Sequence, residues 1–363
     1  MKAPPHRTVV ITGASAGVGR ATAIAFARRG WAVALLARGH QGLEDTRREV
    51  EQAGGKPIAL SADVADADAV NAAAERVVSA WGSIGVWVNN AMATVFAPVE
   101  DVSPAEFRRV TEVTYLGQVH GTLAALQHMR RQRCGTIVQV GSALAYRSIP
   151  LQSAYCAAKA AARGFTDSLR SELIHEGSPV RLTMVHLPAV DTPQFDWARS
   201  RLPRKLQPVP PIHNPTVAAE AIVKAARLAP RELWVGRPTI QAILGTMIAP
   251  GLLDGIMARR AWGGQMTDEP AVTRPDNLFE PIARNREAQS RFSAFAKPRA
   301  VVASASLVRG IVGAAGVALV GGLAVFAISR ANSRPMAEPE ARVSRTGGKT
   351  AISSGTRTVR GRS

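Results

Sequence analysis

The stretch TVVITGASAGVG, residues 8–19, decides the fold of this chain. An apolar strand runs into a glycine-rich turn, and a helical segment, residues 20–29, follows directly. Glycines let the backbone turn tightly and approach a pyrophosphate, and the free amides at the start of the following helix attract its negative charge. An ordinary glycine-rich turn is the alternative, which the flanking strand and helix disfavour. The stretch predicts a dinucleotide site formed by Gly13, Ser15, Gly17, Val18 and Gly19.

Outward from this turn, short apolar runs alternate with helical segments up to about residue 236. The helical segments carry apolar residues at a spacing of three to four, as in residues 21–27 and 69–78. This order predicts an α/β fold, a doubly wound parallel sheet of the Rossmann type with helices on both faces. The predicted strands are Thr8–Thr12, Ala32–Ala37, Ile58–Ser61, Ile84–Asn89, Thr136–Val140, Val180–His186 and Glu232–Val235.

The end of the second strand bears on which dinucleotide binds. It reads Leu35-Leu36-Ala37-Arg38, with no Asp or Glu there to accept hydrogen bonds from a free ribose 2′-hydroxyl. An arginine at this position suits a 2′-phosphate. Arg38 therefore favours NADP(H) as the cofactor, with NAD(H) as the alternative. An exposed arginine that binds no ligand would give the same sequence at a strand end.

A second chemical signal follows the fifth strand. Tyr155 and Lys159 lie four residues apart in an alanine-rich stretch that predicts a helix, so they share one helical face. A cation beside a phenol favours phenolate, so we expect Lys159 to lower the pKa of Tyr155 towards a range useful for proton transfer. Ser142, thirteen positions before Tyr155, is placed to hydrogen-bond a substrate carbonyl.

Taken together, these stretches resemble the short-chain dehydrogenase/reductase family. The resemblance covers residues 7–236 and rests on Thr12-Gly13-xxx-Gly17-x-Gly19, Asp63-Val64, Asn89-Asn90-Ala91, Ser142 and Tyr155-xxx-Lys159. It implies that Ser142 positions the carbonyl, that Tyr155 is the general acid or base, and that Lys159 also binds the nicotinamide ribose.

The resemblance implies further cofactor contacts, and two stretches depart from the family pattern. Asp63 and Val64 would border the adenine, and Asn90 would lie beside the cofactor. Pro188 and Thr192 only approximate the segment that contacts the nicotinamide end in the family, because the stretch reads LPAVDT. Met92 stands where the family often has glycine.

Thr114 is the departure closest to the chemistry. It occupies the place of a family asparagine that holds a water of the proton relay. A hydroxyl also binds water, so we expect Thr114 to serve in the relay with altered efficiency.

The chain continues beyond the family match. Five prolines between residues 203 and 215 predict a loop over the site. We divide the chain into a catalytic domain at 1–236, a peripheral extension and linker at 237–306, a membrane-associated helix at 307–330 and a basic, disordered tail at 331–363.

The membrane prediction rests on residues 310–329, which contain no charge and number twenty, the length of a helix that spans a bilayer. Small residues recur every four positions from Gly310, so homo-oligomerisation through this face is a hypothesis. The segment would either span the membrane or lie on an anionic surface. The alternative is a glycine-rich buried or interfacial helix in a soluble cytoplasmic protein.

Charge, cysteine content and histidine spacing limit the partners, the location and the metal sites that we expect. The net charge is +18, but the excess is dispersed on predicted helices apart from the tail, so we expect no nucleic-acid partner. Two cysteines are too few for a disulfide framework, and the N-terminus has no apolar run typical of a secretory signal, so we expect the catalytic domain in the cytoplasm. The histidines show no ligand spacing, which predicts no metal site.

The sequence therefore predicts an NADP(H)-dependent oxidoreductase that interconverts a carbonyl and an alcohol on a small, lipophilic substrate. A non-catalytic NADP(H)-binding membrane scaffold is the alternative, motivated by Thr114 and the long basic extension. A nucleotide-sugar epimerase shares the tyrosine and lysine, but the glycine spacing argues against it.

Overall fold

The computed structural model describes residues 6–282 and 287–315. Its contacts divide the chain into two compact units, residues 1–310 and residues 311–363. In the second unit only residues 311–315 are described, and they are helical. The boundary that the sequence suggests at residue 236 does not coincide with a boundary between compact units.

The first unit is built on one eight-stranded sheet. Its order is β12-β10-β7-β6-β4-β1-β2-β3, and all neighbours run parallel except β12, which is antiparallel to β10. The strands are β1 (Thr8–Thr12), β2 (Ala32–Ala37), β3 (Lys56–Ser61), β4 (Val86–Asn89), β5 (Val95–Phe96), β6 (Thr136–Ser142), β7 (Arg181–Leu187), β8 (Arg199–Ser200), β9 (Arg204–Leu206), β10 (Glu232–Val235), β11 (Met266–Pro270) and β12 (Val302–Ser304).

The helices cover both faces of this sheet. They are α1 (Gly17–Ala27), α2 (His40–Gln52), α3 (Ala67–Trp81), α4 (Pro104–Thr111), α5 (Gly117–Gln132), α6 (Ser153–His175), α7 (Gln194–Trp197), α8 (Pro215–Leu228), α9 (Arg237–Ile248), α10 (Pro250–Ile256) and α11 (Trp262–Gly264), with π-helical turns at Glu112–Leu116 and Met257–Ala261. One apolar core lies between the sheet and α1, α2 and α8, and a second lies between the sheet and α3, α4, α5 and α6. Because both faces are covered, every residue of β1 and of β6 is buried, as expected for a parallel sheet.

The seven predicted strands are confirmed, with bounds that differ by one or two residues at several ends. The order in which the strands are added reverses between β1 and β4: β2 and β3 lie on one side of β1, and β4, β6 and β7 lie on the other. Open α/β sheets bind ligands at such a reversal. The proline-rich stretch contains the short strand β9, which pairs with β11, and its residues 207–211 line the cavity described below, as predicted.

Residues beyond 236 add elements that the sequence does not predict. Helices α9 and α10 follow β10, and β12 then returns as the edge strand of the main sheet. No helix in the described part of the chain is long and apolar enough to cross a membrane. The predicted membrane segment, 310–329, lies outside the described residues from 316 onwards, as does the basic tail.

Candidate active site

A cavity of about 1300 Å³ opens at the carboxyl ends of the strands, beside the reversal of strand order between β1 and β4. Two of the residues that the sequence predicts for the site, Gly19 and Thr114, do not line it. The predicted residues that do line it are Gly13, Ser15, Gly17, Val18, Arg38, Asp63, Val64, Asn90, Ser142, Tyr155, Lys159, Pro188 and Thr192.

The glycine turn is held against the end of β4 by side-chain hydrogen bonds. The Thr12 hydroxyl accepts from the backbone N–H groups of Asn90 and Ala91 at 2.9 and 3.0 Å, and the Asn90 amide donates to the carbonyl of Thr12 at 2.9 Å. A Cβ at Gly19 would lie 2.1 Å from the carbonyl oxygen of Gly13. Gly19 is therefore needed for the turn to close on itself, and not for the approach of a pyrophosphate.

Gly17 begins α1 and faces the cavity. Its φ is +54°, and a Cβ there would lie 3.2 Å from the Thr192 methyl carbon. The Gly17 backbone N–H donates to the carbonyl oxygen of Glu287 at 3.0 Å. One of the helix N-terminal donors expected to face a pyrophosphate thus already has a protein partner from the C-terminal extension.

Arg38 is held by the same extension. Its guanidinium donates to the carbonyl oxygens of Asn277 and Phe279, both at 2.5 Å. Burial, and next the nearby Arg109, lower the pKa of Arg38. The extension therefore reaches the place where the sequence predicts a 2′-phosphate.

Arg109 and Leu278 anchor this contact. Arg109 forms an ion pair with Asp63 at 2.5 Å and donates from Nε to the carbonyl of Leu278 at 3.0 Å. The Leu278 side chain is fully buried in the apolar core on that face of the sheet. Asn277, Pro281 and Ile282 of the same extension line the cavity. No short motif in residues 271–301 marks them, so pattern analysis of the sequence misses them.

The catalytic candidates converge at the other end of the cavity. Ser142 ends β6, while Tyr155 and Lys159 lie on the first turns of α6. The Ser142 oxygen accepts from the backbone N–H of Leu144 at 3.1 Å, which leaves its hydroxyl hydrogen available for another partner. Lys159 Nζ donates to the carbonyl of Val140 at 2.7 Å and lies 5.7 Å from the centre of the Tyr155 ring.

The pKa values of Tyr155 and Lys159 differ from those that the sequence predicts. Burial raises the pKa of the Tyr155 phenol, and a hydrogen bond with Ser142 opposes that rise only in part. Burial lowers the pKa of Lys159 to about 7. The prediction that Lys159 brings the pKa of Tyr155 down is wrong for the protein alone, because the ammonium is itself destabilised and is bonded to Val140. Tyr155 is a protonated phenol at neutral pH, which suits a proton donor.

Thr114 also differs from the expectation. Its side chain is fully buried in the π-helical turn at 112–116. The hydroxyl donates to the carbonyl of Ala93 and accepts from the N–H of the same residue, both at 2.9 Å. Its donor and one acceptor site are therefore engaged away from the cavity, where they hold the loop after β4.

A further part of the cavity wall comes from residues that the sequence analysis does not single out. Gln152 and Gln265 are buried and bonded to each other at 2.7 Å. The wall near them is largely apolar, formed by Leu144, Ile149, Phe195, Trp197, Leu253, Ile256 and Met257. Helix α10 and the π-helical turn after it thus place apolar side chains in the same cavity as Tyr155.

Comparison with known proteins identifies the fold family of this site. The family model described as short chain dehydrogenase matches residues 7–202. An uncharacterized oxidoreductase of Bacillus subtilis, YxnA, is 34% identical over 77% of this chain and 79% of its own length. A fatty acyl-CoA reductase of Acinetobacter baylyi is 28% identical over 62% of this chain and 75% of its own length.

Among solved structures, an alcohol dehydrogenase from Thermococcus sibiricus complexed with 5-hydroxy-NADP is similar to this chain. Its TM-score is 0.54 at 31% identity, with 62% of this chain and 94% of that chain covered. The similarity covers most of that enzyme.

Proposed function

We propose, from the premise that this chain belongs to the short-chain dehydrogenase family, that it interconverts a carbonyl and an alcohol with NADP(H), using Tyr155 as the general acid or base. The observation that carries the proposal is the arrangement within one cavity. Ser142, Tyr155 and Lys159 line one end of it, and the glycine turn and Arg38 line the other.

The residues present fit a nicotinamide dinucleotide. One cavity of about 1300 Å³ is lined both by Gly13 and Gly17 of the glycine turn and by Tyr155. The amide donors at the start of α1 other than the Gly17 N–H, which is bonded to Glu287, suit a pyrophosphate. Lys159 offers a donor for a ribose. When bound, the cofactor supplies or accepts the hydride.

The protein's own groups handle the proton and the carbonyl. Tyr155 holds its proton at neutral pH because burial raises its pKa, so it can donate to the oxygen of a carbonyl as that oxygen gains charge. The Ser142 hydroxyl, which is hydrogen-bonded with Tyr155 in the protein alone, can donate its hydrogen to the same oxygen. Lys159 lies under the Tyr155 ring, where its ammonium form stabilises negative charge on the phenol when the alcohol is oxidised.

Arg38 supports NADP(H) over NAD(H). It lies at the end of β2 and lines the cavity, where a guanidinium suits a phosphate. The similar alcohol dehydrogenase is complexed with an NADP derivative. Arg38 has donors beyond the two that it gives to Asn277 and Phe279, because a guanidinium carries five N–H groups.

The substrate that we propose is lipophilic. The wall beside Tyr155 is built from aliphatic and aromatic side chains of α7, α10 and the loops around Ile149. The similarity to a fatty acyl-CoA reductase agrees with an apolar substrate. Membrane association through residues 310–329 and homo-oligomerisation stay predictions.

The test is oxidation of NADPH and NADH by the full chain with a panel of ketones and aldehydes of increasing chain length. We expect turnover with NADPH that falls by about 10²–10⁴-fold in Tyr155→Phe. Tyr115→Phe is the matched control, because Tyr115 does not line the cavity. NADPH binding without turnover on any substrate would instead support the non-catalytic scaffold.

A further inference from the structure

A buried polar cluster contacts the end of β6 that carries Ser142, and the proposed reaction does not use it. Its two most buried members are His186 on β7 and Glu232 on β10, which are 0% and 2% exposed. Buried polar groups are costly unless they are paired, so a cluster at this place calls for an explanation.

His186 contacts β6, the strand that ends at Ser142, through a backbone carbonyl group. Its Nδ1 lies 3.0 Å from the carbonyl oxygen of Ser142. A carbonyl oxygen only accepts, so Nδ1 must carry the hydrogen. The contact also requires glycine at the preceding position of β6, because a Cβ at Gly141 would lie 2.8 Å from His186 Nδ1.

The other edge of the imidazole faces a fixed carboxylate. His186 Nε2 lies 3.6 Å from Glu232 Oε2, and that oxygen accepts hydrogen bonds from Tyr146 at 2.8 Å and Trp234 at 2.9 Å. The Tyr146 ring packs edge-on against the imidazole, with ring centres 5.0 Å apart. The Ser142 carbonyl and the Tyr146 ring therefore hold the imidazole on two sides, whereas Nε2 faces the carboxylate without a hydrogen bond.

Charged groups surround this pair. Arg163 stacks on the Tyr146 ring at 4.2 Å, and Arg309 donates to the Tyr146 hydroxyl at 3.1 Å and approaches Glu232 at 3.6 Å. Lys159, Arg170 and Arg231 are further cations near His186 and Glu232. The carboxylate is compensated from several elements, which keeps it in place beside the ring.

We propose that His186 is a positioning residue for Ser142: its Nδ1–H holds the Ser142 carbonyl and so orients the strand end from which the Ser142 hydroxyl meets the substrate. The inference rests on the proposed function, because it needs Ser142 to act on the carbonyl. A displacement of about 1 Å at a reacting group costs on the order of 10²-fold in rate, so a single backbone contact at this place affects turnover.

Two amide substitutions test the contact. In His186→Asn the amide N–H occupies the place of Nδ1 and keeps the bond to Ser142, whereas in His186→Gln the amide reaches the place of Nε2 and faces Glu232. We expect His186→Asn to keep kcat within about 3-fold and His186→Gln to lower it by about 10-fold or more. The KM for NADPH stays unchanged in both, because the cofactor turn is not involved.

His128→Gln is the matched control, since His128 is also buried and lies 3.5 Å from Glu75, away from the cavity. Equal kcat values for the Asn and Gln variants, or a larger loss in Asn than in Gln, would overturn the proposal and leave a purely structural role. Ser142→Ala distinguishes a failure of this proposal from a failure of the proposed function. Unchanged turnover in Ser142→Ala overturns both this proposal and the role of Ser142 in the proposed function, whereas a loss there with full activity in His186→Gln overturns this proposal alone.

Discussion

Lys159 donates a hydrogen bond from Nζ to the carbonyl oxygen of Val140 at 2.7 Å, two residues before Ser142 on the same strand. The bond ties helix α6 to β6, so the two elements that carry the catalytic candidates are joined by one of those candidates. Lys159 is only 2% exposed, and burial lowers the pKa of its ammonium to about 7.

The lowered pKa of Lys159 predicts how stability changes with pH. Its folded pKa lies below the ordinary value of 10.5, so the unfolded chain binds more protons between about pH 7 and 10.5. The free energy of unfolding of the wild type should therefore rise with pH in that window relative to Lys159→Met. The measurement is denaturant unfolding of both proteins at about pH 6 and about pH 9. Lys224→Met, at an exposed position of α8, should show no such trend, and a pH-independent difference between wild type and Lys159→Met would contradict the prediction.

Arg38→Ala should separate the two cofactors. Hydrogen bonds to charged groups contribute about 1.5–3 kcal/mol, so loss of the guanidinium should raise the KM for NADPH by about 10-fold or more. The KM for NADH should hardly change, because its ribose carries no phosphate. Steady-state kinetics with both cofactors measures the ratio, and Arg48→Ala on the exposed face of α2 is the control. An equal rise for both cofactors would show that Arg38 supports the fold of the site and does not select the cofactor.

Leu278→Ala should loosen the extension from the sheet. Truncating a buried leucine costs about 2–5 kcal/mol, and Leu278 anchors the backbone carbonyls that hold Arg38 and Arg109. We expect a lower denaturation midpoint and faster hydrogen exchange around residues 276–280. Phe295→Ala removes a larger side chain of the same extension that is 75% exposed, and it should leave the midpoint unchanged. Equal effects of the two substitutions would mean that Leu278 is not an anchor.

Thr114→Val distinguishes a structural role from a role in proton relay. Valine keeps the shape but leaves the N–H and carbonyl of Ala93 without their partner, at about 1–3 kcal/mol for each buried group. We expect a loss of stability on thermal unfolding, and Thr114→Ser should retain most of the wild-type value. A fall in kcat with unchanged stability would instead restore the relay role.

The parts of the site that sequence predicts well are those with local signals. The turn at Gly17 and the Tyr155 and Lys159 pair are defined within a few residues, and the strand-helix alternation supplies their context. The contact of Arg109 with Leu278 joins positions 169 residues apart, and no residue type at either end marks it. The pKa of Tyr155 depends on burial by other elements, which is why a rule based on its neighbour Lys159 has the wrong sign.

Strand β12 sets an order of events during synthesis. Chains emerge N-terminus first at about 5–20 residues per second, so β10 is released several seconds before Val302–Ser304 can pair with it. During that interval the nascent sheet presents an open edge of unpaired backbone groups, which is a template for association with other chains. A protein shortened between β10 and residue 302 would keep that edge open permanently, so we expect such material to be prone to aggregation.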